Sequence, residues 1–136
     1  MSKTAGREAE KATGILEVPQ EEVEALLRRP PEVMALLFVT PTCGQCGLLE
    51  RALEAVLPAL PPFPVYRLWV EESRRLVERF AVSSAPTLKL LIRGEPVHTW
   101  FGARTPDDLY YMIRAYLPES LLRAAWEGAA PADPPA

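Results

Sequence analysis

Cys43-Gly44-Gln45-Cys46 constrains this chain more than any other stretch, because of what lies on either side of it. Before it runs Val33-Met34-Ala35-Leu36-Leu37-Phe38-Val39, seven apolar residues without alternation, which predicts a strand buried on both faces. After it, Leu48, Leu49, Ala52, Leu53, Val56 and Leu57 recur at helical spacing, with Glu50, Arg51 and Glu54 between them. Two thiols three residues apart at a helix start share one face and lie within reach of an intramolecular disulfide. The start of a helix also offers unpaired N–H groups and the positive end of the dipole, both of which favour thiolate over thiol. A strand, a CxxC and then a helix is the layout a redox dithiol needs.

The rest of the composition narrows the function classes. The chain has 136 residues, enough for one domain with its own core. Its net charge is −3 and its Lys and Arg residues are scattered, so there is no basic stripe to suit nucleic acid. No apolar stretch approaches the roughly 20 residues of a membrane span. Met1 to Thr13 is polar and charged, without the apolar centre of a signal peptide, which makes the cytoplasm the expected location. Only two cysteines are present, both in the CxxC. A disulfide scaffold would use more of them, at longer separations. In a reducing compartment such a pair is catalytic, redox-sensing or metal-binding.

The order of elements can be read from periodicity and punctuation. Residues 1–13 read as a flexible lead, 14–127 as one domain and 128–136 as a Pro-rich tail. Ile15-Leu16-Glu17-Val18 reads as a short strand stopped by Pro19. Glu21-Glu22 early and Arg28-Arg29 late match the dipole of a helix, which Pro30-Pro31 closes. Val65 to Val70 is rich in β-branched and aromatic residues and predicts a strand. A helix is expected over Glu71–Phe80, a strand over Thr87–Ile92, a hairpin turn at Arg93-Gly94-Glu95-Pro96 and a return strand over Val97–Phe101. Thr105-Pro106-Asp107-Asp108 signals a capped helix start, and a short helix is expected over about Glu119 to Trp126. Strands alternating with helices, followed by a hairpin, predict an α/β fold: a mixed sheet of about five strands with helices on both faces.

These residues resemble the thioredoxin family over about Ile15 to Leu117. The likeness rests on Cys43-Gly44-Gln45-Cys46, on Ala85-Pro86-Thr87 opening a strand, on Gly94 in the hairpin and on Gly102-Ala103 after the last strand. It implies a thioredoxin-like fold and a cis peptide bond before Pro86, with the ring packed beside the sulfurs. It also implies a docking groove for an extended protein segment, lined by Gly44, Gln45, Ala85, Pro86, Phe101, Gly102 and Ala103. Cys43, at the exposed end, would be the nucleophile and Cys46 the resolving thiol, with no metal and no cofactor. The partners implied are protein disulfides as substrates and a thiol reductase or other thiol carrier as electron donor, with neither nucleic acid nor membrane. Three positions depart from the family pattern: Leu37 stands where a buried Asp is common, Thr42 where Trp is common, and Gln45 where Pro is frequent. Arg67 falls where the family often keeps a Lys, and without an Asp beside it is expected to turn outward toward Glu71.

Other readings of the same residues are weaker. Zinc usually takes four ligands, and the chain offers two thiols and a lone His98 far along the sequence. His98 reads as an ordinary strand residue, and Trp69, Trp100 and Trp126 as packing or surface residues; a contiguous exposed patch of Trp69 and Trp100 on the sheet would suggest a partner surface. Gln45 either bonds a thiolate or a substrate backbone, or is solvated. An interaction module with weak or absent redox activity is the alternative function, kept open by Leu37 and Thr42.

Overall fold

The structure is a computed structural model that describes residues 14–129. The lead over 1–13 and the tail beyond Ala129 fall outside the described residues, as does the side chain of Trp126. Five strands form one sheet: β1 (Ile15–Glu17), β2 (Val33–Val39), β3 (Val65–Trp69), β4 (Thr87–Ile92) and β5 (Glu95–Phe101). Their spatial order is β1-β3-β2-β4-β5. β3 runs parallel to both β1 and β2, whereas β4 is antiparallel to β2 and to β5. Five helices complete the fold: α1 (Gln20–Arg28), α2 (Gly44–Val56), α3 (Arg74–Arg79), α4 (Pro106–Tyr116) and α5 (Glu119–Ala129).

The unbroken apolar run of β2 puts it at the centre of the sheet, with all seven residues buried. Its alternate residues serve two cores, because successive side chains of a strand point to opposite faces. Ala35, Leu37 and Val39 pack in one cluster with Leu49 and Leu53 of α2 and Leu109 and Ile113 of α4. Met34, Leu36 and Phe38 pack in the other with Val23 of α1 and Leu76 of α3. Each such large side chain removed from water contributes roughly 1.5–3 kcal/mol. The helices on the two faces are thereby fixed by a single strand.

Several boundaries differ from the sequence reading, each for a local reason. The helix expected from periodicity at Leu48 extends back to Gly44, because Cys43 caps it: the Cys46 N–H donates to Cys43 Sγ at 3.1 Å. Glu71–Phe80 is not one helix but a 3-10 turn over Val70–Glu72 followed by α3. The break falls at buried Ser73, where Gln20 reaches across from α1 and its Oε1 accepts the N–H groups of Arg75 and Leu76 at 3.0 and 3.2 Å. Those are start-of-helix donors, so a side chain 55 residues away sets where α3 begins. β5 starts earlier than expected, at Glu95, and tolerates Pro96 because it is an edge strand with a register shift opposite Leu90/Leu91. Arg93 and Gly94 form the tight turn before it, both with positive φ (51° and 84°), as a two-residue hairpin turn requires. Trp100 is only 1% exposed and is a packing residue: it lies in the α2–α4 core, and its Nε1–H donates to Met112 Sδ at 3.3 Å. α5 continues through Ala129, past the expected end at Trp126.

Candidate active site

Three chain segments leave the sheet at one end. Thr87, the first residue of β4, lies in register with Phe38 near the end of β2 and with Phe101 at the end of β5. The loop to the CxxC, the Ala85–Pro86 turn and the Gly102–Ala103 loop are therefore neighbours by strand register alone. Two hydrogen bonds tighten the arrangement. The Gly102 N–H donates to the Pro86 carbonyl at 3.1 Å, and the Ala103 N–H donates to Gln45 Oε1 at 3.2 Å. Gly102 has φ +76°, and a Cβ there would sit 3.0 Å from Gln45 Oε1, so glycine lets loop and helix approach.

Cys43 and Cys46 are joined in a disulfide, with their Cα atoms 5.3 Å apart. Cys43 is half-buried and Cys46 is 5% exposed, so the two residues differ in access although they share one turn of helix. Gly44 and Gln45 are exposed, Ala85 is half-buried and Pro86 is buried. The Ala85–Pro86 peptide bond is cis. Phe101 is exposed, an uncommon state for a large apolar side chain beside a buried strand end. All seven residues named for the docking groove thus lie on the three converging segments. Gln45 is not turned to a sulfur: its amide oxygen holds the Ala103 N–H.

Leu37, fully buried, sits beside Arg67 in the β2–β3 register. Arg67 does not turn toward Glu71. Its Nη1 donates to both Glu50 carboxylate oxygens at 3.0 and 3.1 Å, and its Nη2 to Glu17 Oε1 at 2.7 Å. The reason is the strand parity that puts Arg67 on the same face as α2. Glu17 also accepts the Trp69 indole N–H at 2.8 Å. That bond, with those from Arg67, holds the Glu17 carboxyl below the usual glutamate range. Burial opposes the charge on Arg67, but the two carboxylates outweigh it and raise its pKa. Sequence reasoning missed this cluster. Its one local signal is Glu50 standing four residues after Cys46, hence on the same side of the helix. His98 lies half-buried between two rings, 4.4 Å from Trp100 and 4.8 Å from Tyr116 by centroid.

The thioredoxin family profile matches residues 14–115. The chain belongs to the thioredoxin family. A thioredoxin from Chlamydia muridarum (strain MoPn / Nigg) is 37% identical over 76 residues, which is 56% of this chain and 74% of that protein. Protein disulfide-isomerase A4 of Homo sapiens is 31% identical over 87 residues, 61% of this chain but only 13% of that much longer protein. Among solved structures, a mutant thioredoxin from Halobacterium salinarum NRC-1 superposes with a TM-score of 0.67 at 27% identity, covering 78% of this chain and 93% of that one. With Cys43 and Cys46 paired at the head of α2, this thioredoxin-family chain is a CxxC thiol-disulfide oxidoreductase. No helix among the described residues is long and apolar enough to cross a membrane.

Proposed function

We propose that the protein reduces disulfides of other proteins, with Cys43 as nucleophile and Cys46 as resolving thiol. The observation that carries the assignment is the unequal burial of the two cysteines: Cys43 is half-buried at the capping position, and Cys46 is almost wholly covered one turn inside. Cys43 Sγ accepts the Cys46 N–H at the positive end of a 13-residue helix. Such a donor stabilises negative charge on sulfur, and thiolate is the attacking species.

The electron balance is that of thiol–disulfide exchange. The Cys43 thiolate attacks one sulfur of the target, the target S–S bond breaks, and the leaving sulfur departs as a thiolate that takes up a proton. Cys46 then loses its proton and attacks Cys43. The mixed disulfide breaks, the Cys43–Cys46 bond forms, and the second target sulfur leaves reduced. Two electrons pass to the target, and a thiol reductase (NADPH-linked) or another thiol carrier restores the dithiol. Gly44, Gln45, Ala85, Pro86, Phe101, Gly102 and Ala103 line the groove in which the target segment lies. The Pro86 ring closes one side of it, and Ala85 offers backbone hydrogen bonds. A reducing compartment, the cytoplasm, suits this direction of electron flow, since neither cysteine outside the motif nor a second pair exists for a structural disulfide.

Insulin reduction with dithiothreitol tests the assignment. The wild-type chain is expected to accelerate precipitation of the insulin B chain, and Cys43→Ser to stay at the uncatalysed background. Equal background turbidity in both would overturn it.

A further inference from the structure

A cleft of about 470 Å³ opens beside the redox loop, between α2 and the loop leading into α4. Leu48, Arg51 and Ala52 form its helix wall, and Ala103, Arg104 and Asp108 contribute to the opposite one. It is contiguous with the candidate groove, because Ala103 belongs to both and Leu48 stands one turn after Gln45. Three features set it apart from ordinary surface. Leu48 is 49% exposed, although the adjacent Leu49, of the same size, is fully buried. Arg51 and Arg104 are both exposed, and neither forms an ion pair with a described residue, unlike Arg67 and Arg75. Arg51 also folds back along its helix: its Nη1 lies 3.8 Å from where a Gly47 side chain would begin, so the guanidinium reaches toward the CxxC turn over a residue that leaves it room.

Charge decides what such a cleft accepts. The whole chain carries −3, yet this site beside the disulfide presents two uncommitted guanidinium groups against one carboxylate, that of Asp108. Guanidinium groups bind carboxylates through paired N–H donors, and opposite charge at a rim sets partner choice and encounter rate. Leu48 and Ala52 supply an apolar strip alongside. We propose that this cleft is a second docking site for the substrate chain, selecting protein disulfides flanked by an acidic residue next to an apolar one. The proposal rests on the reductase reading above and names its substrate class. Spacing follows from geometry. Cys43 and Arg51 are eight residues apart along the helix, about 12 Å at 1.5 Å per residue. An extended substrate covers that in about four residues, which places the acid three to five positions from the attacked cysteine.

The test uses three labelled peptides of equal length, with Leu beside a variable residue four positions from a Ser that replaces the cysteine. The variable residue is Asp, Asn or Lys, and affinity is read by fluorescence anisotropy on the full chain at low and high salt. The Asp peptide is expected to bind about tenfold tighter than the Lys peptide at low salt, with the gap closing as salt rises. The double variant Arg51→Glu/Arg104→Glu is expected to reverse that order. Equal affinities, no binding by any of the three, or an Asp preference that survives in the double variant would each overturn the proposal. Reduction of a fourth peptide, the Asn sequence with its cysteine restored and held in a disulfide, is measured in parallel on the wild type. Failure of that reduction in the wild type would count against the reductase reading alone, and matching far-ultraviolet circular dichroism of the two proteins shows that the double variant is folded.

Discussion

Arg67 Nη1 grips both carboxylate oxygens of Glu50, at 3.0 and 3.1 Å, and so ties β3 to the redox helix one turn beyond Cys46. Its Nη2 holds Glu17 of β1 at 2.7 Å, while its Nε is buried without a hydrogen-bond partner among the described residues. One guanidinium therefore joins three elements through its two terminal nitrogens. A lysine offers one compact ammonium in their place and cannot serve both carboxylates with the same geometry. Arg67→Lys is expected to lower stability by about 1 kcal/mol, a modest value because the side chain is 30% exposed. Urea denaturation checks it: the midpoint should fall with the slope unchanged.

Glu17 gives that cluster an acid limit. Its pKa lies below the ordinary value of 4.5, chiefly through the Trp69 indole N–H and then through Arg67. A carboxyl depressed on folding contributes stability above its unfolded pKa and loses it as pH falls through the lower folded value. Unfolding midpoints should thus decline as pH drops below about 4.5, and Glu17→Gln should make that decline shallower. The side chain is 47% exposed, so the difference should stay below about 1 kcal/mol. Thermal melts of both proteins across the acid range measure it.

In the resolving role proposed above, Cys46 would shed its proton from a nearly closed position, and the buried Leu37 of β2 offers no acceptor. Burial disfavours the thiolate. The resolving step should accordingly rise with pH, by up to about tenfold per unit below the ordinary thiol value of about 8.5. Single-turnover reduction of a protein disulfide followed from about pH 6 to about pH 9 gives the profile. A flat one would show that the proton leaves by a route independent of bulk pH.

Gln45 fastens the Gly102–Ala103 loop to α2 through one hydrogen bond of 3.2 Å. Gln45→Ala should release the Ala103 amide, raising its hydrogen-exchange rate several-fold at a stability cost of about 1 kcal/mol or less. Gly102→Ala should cost more, about 1–2 kcal/mol, because a side chain at φ +76° is strained and would also press on the Gln45 oxygen. The two substitutions together should cost less than their sum, since Gln45→Ala removes the atom that the new methyl group meets.

What could be read from the sequence was whatever is encoded locally. The apolar run Val33–Val39, the helical spacing after Cys46, the Thr105 cap and the Arg93-Gly94 turn each carry their structure within a few residues, and each formed as expected. The mixed sheet with helices on both faces followed from the alternation of elements and the closing hairpin, whereas the order of its strands was not read from the sequence. Beyond the element boundaries, the misses concerned long-range partners. Arg67 found Glu17 across 50 positions and Glu50 across 17, and no local pattern favours those partners over Glu71. Gln20, at a helix start rich in acids, gave no sign that it would cap a second helix 55 residues on. Trp100 alternates with exposed Phe101 on an edge strand, and only the arrival of α4 decides that its face is the buried one.

β2 has a partner on each edge and a helical layer on each face, and its last residue, Val39, stands four positions before Cys43. Amides held in that way exchange only when the molecule opens as a whole. Any slackening that accompanies the making and breaking of the sulfur bond must therefore die out before it reaches Val39. The reactive pair thus hangs from the most enclosed strand of the sheet, which anchors the loop that carries Cys43.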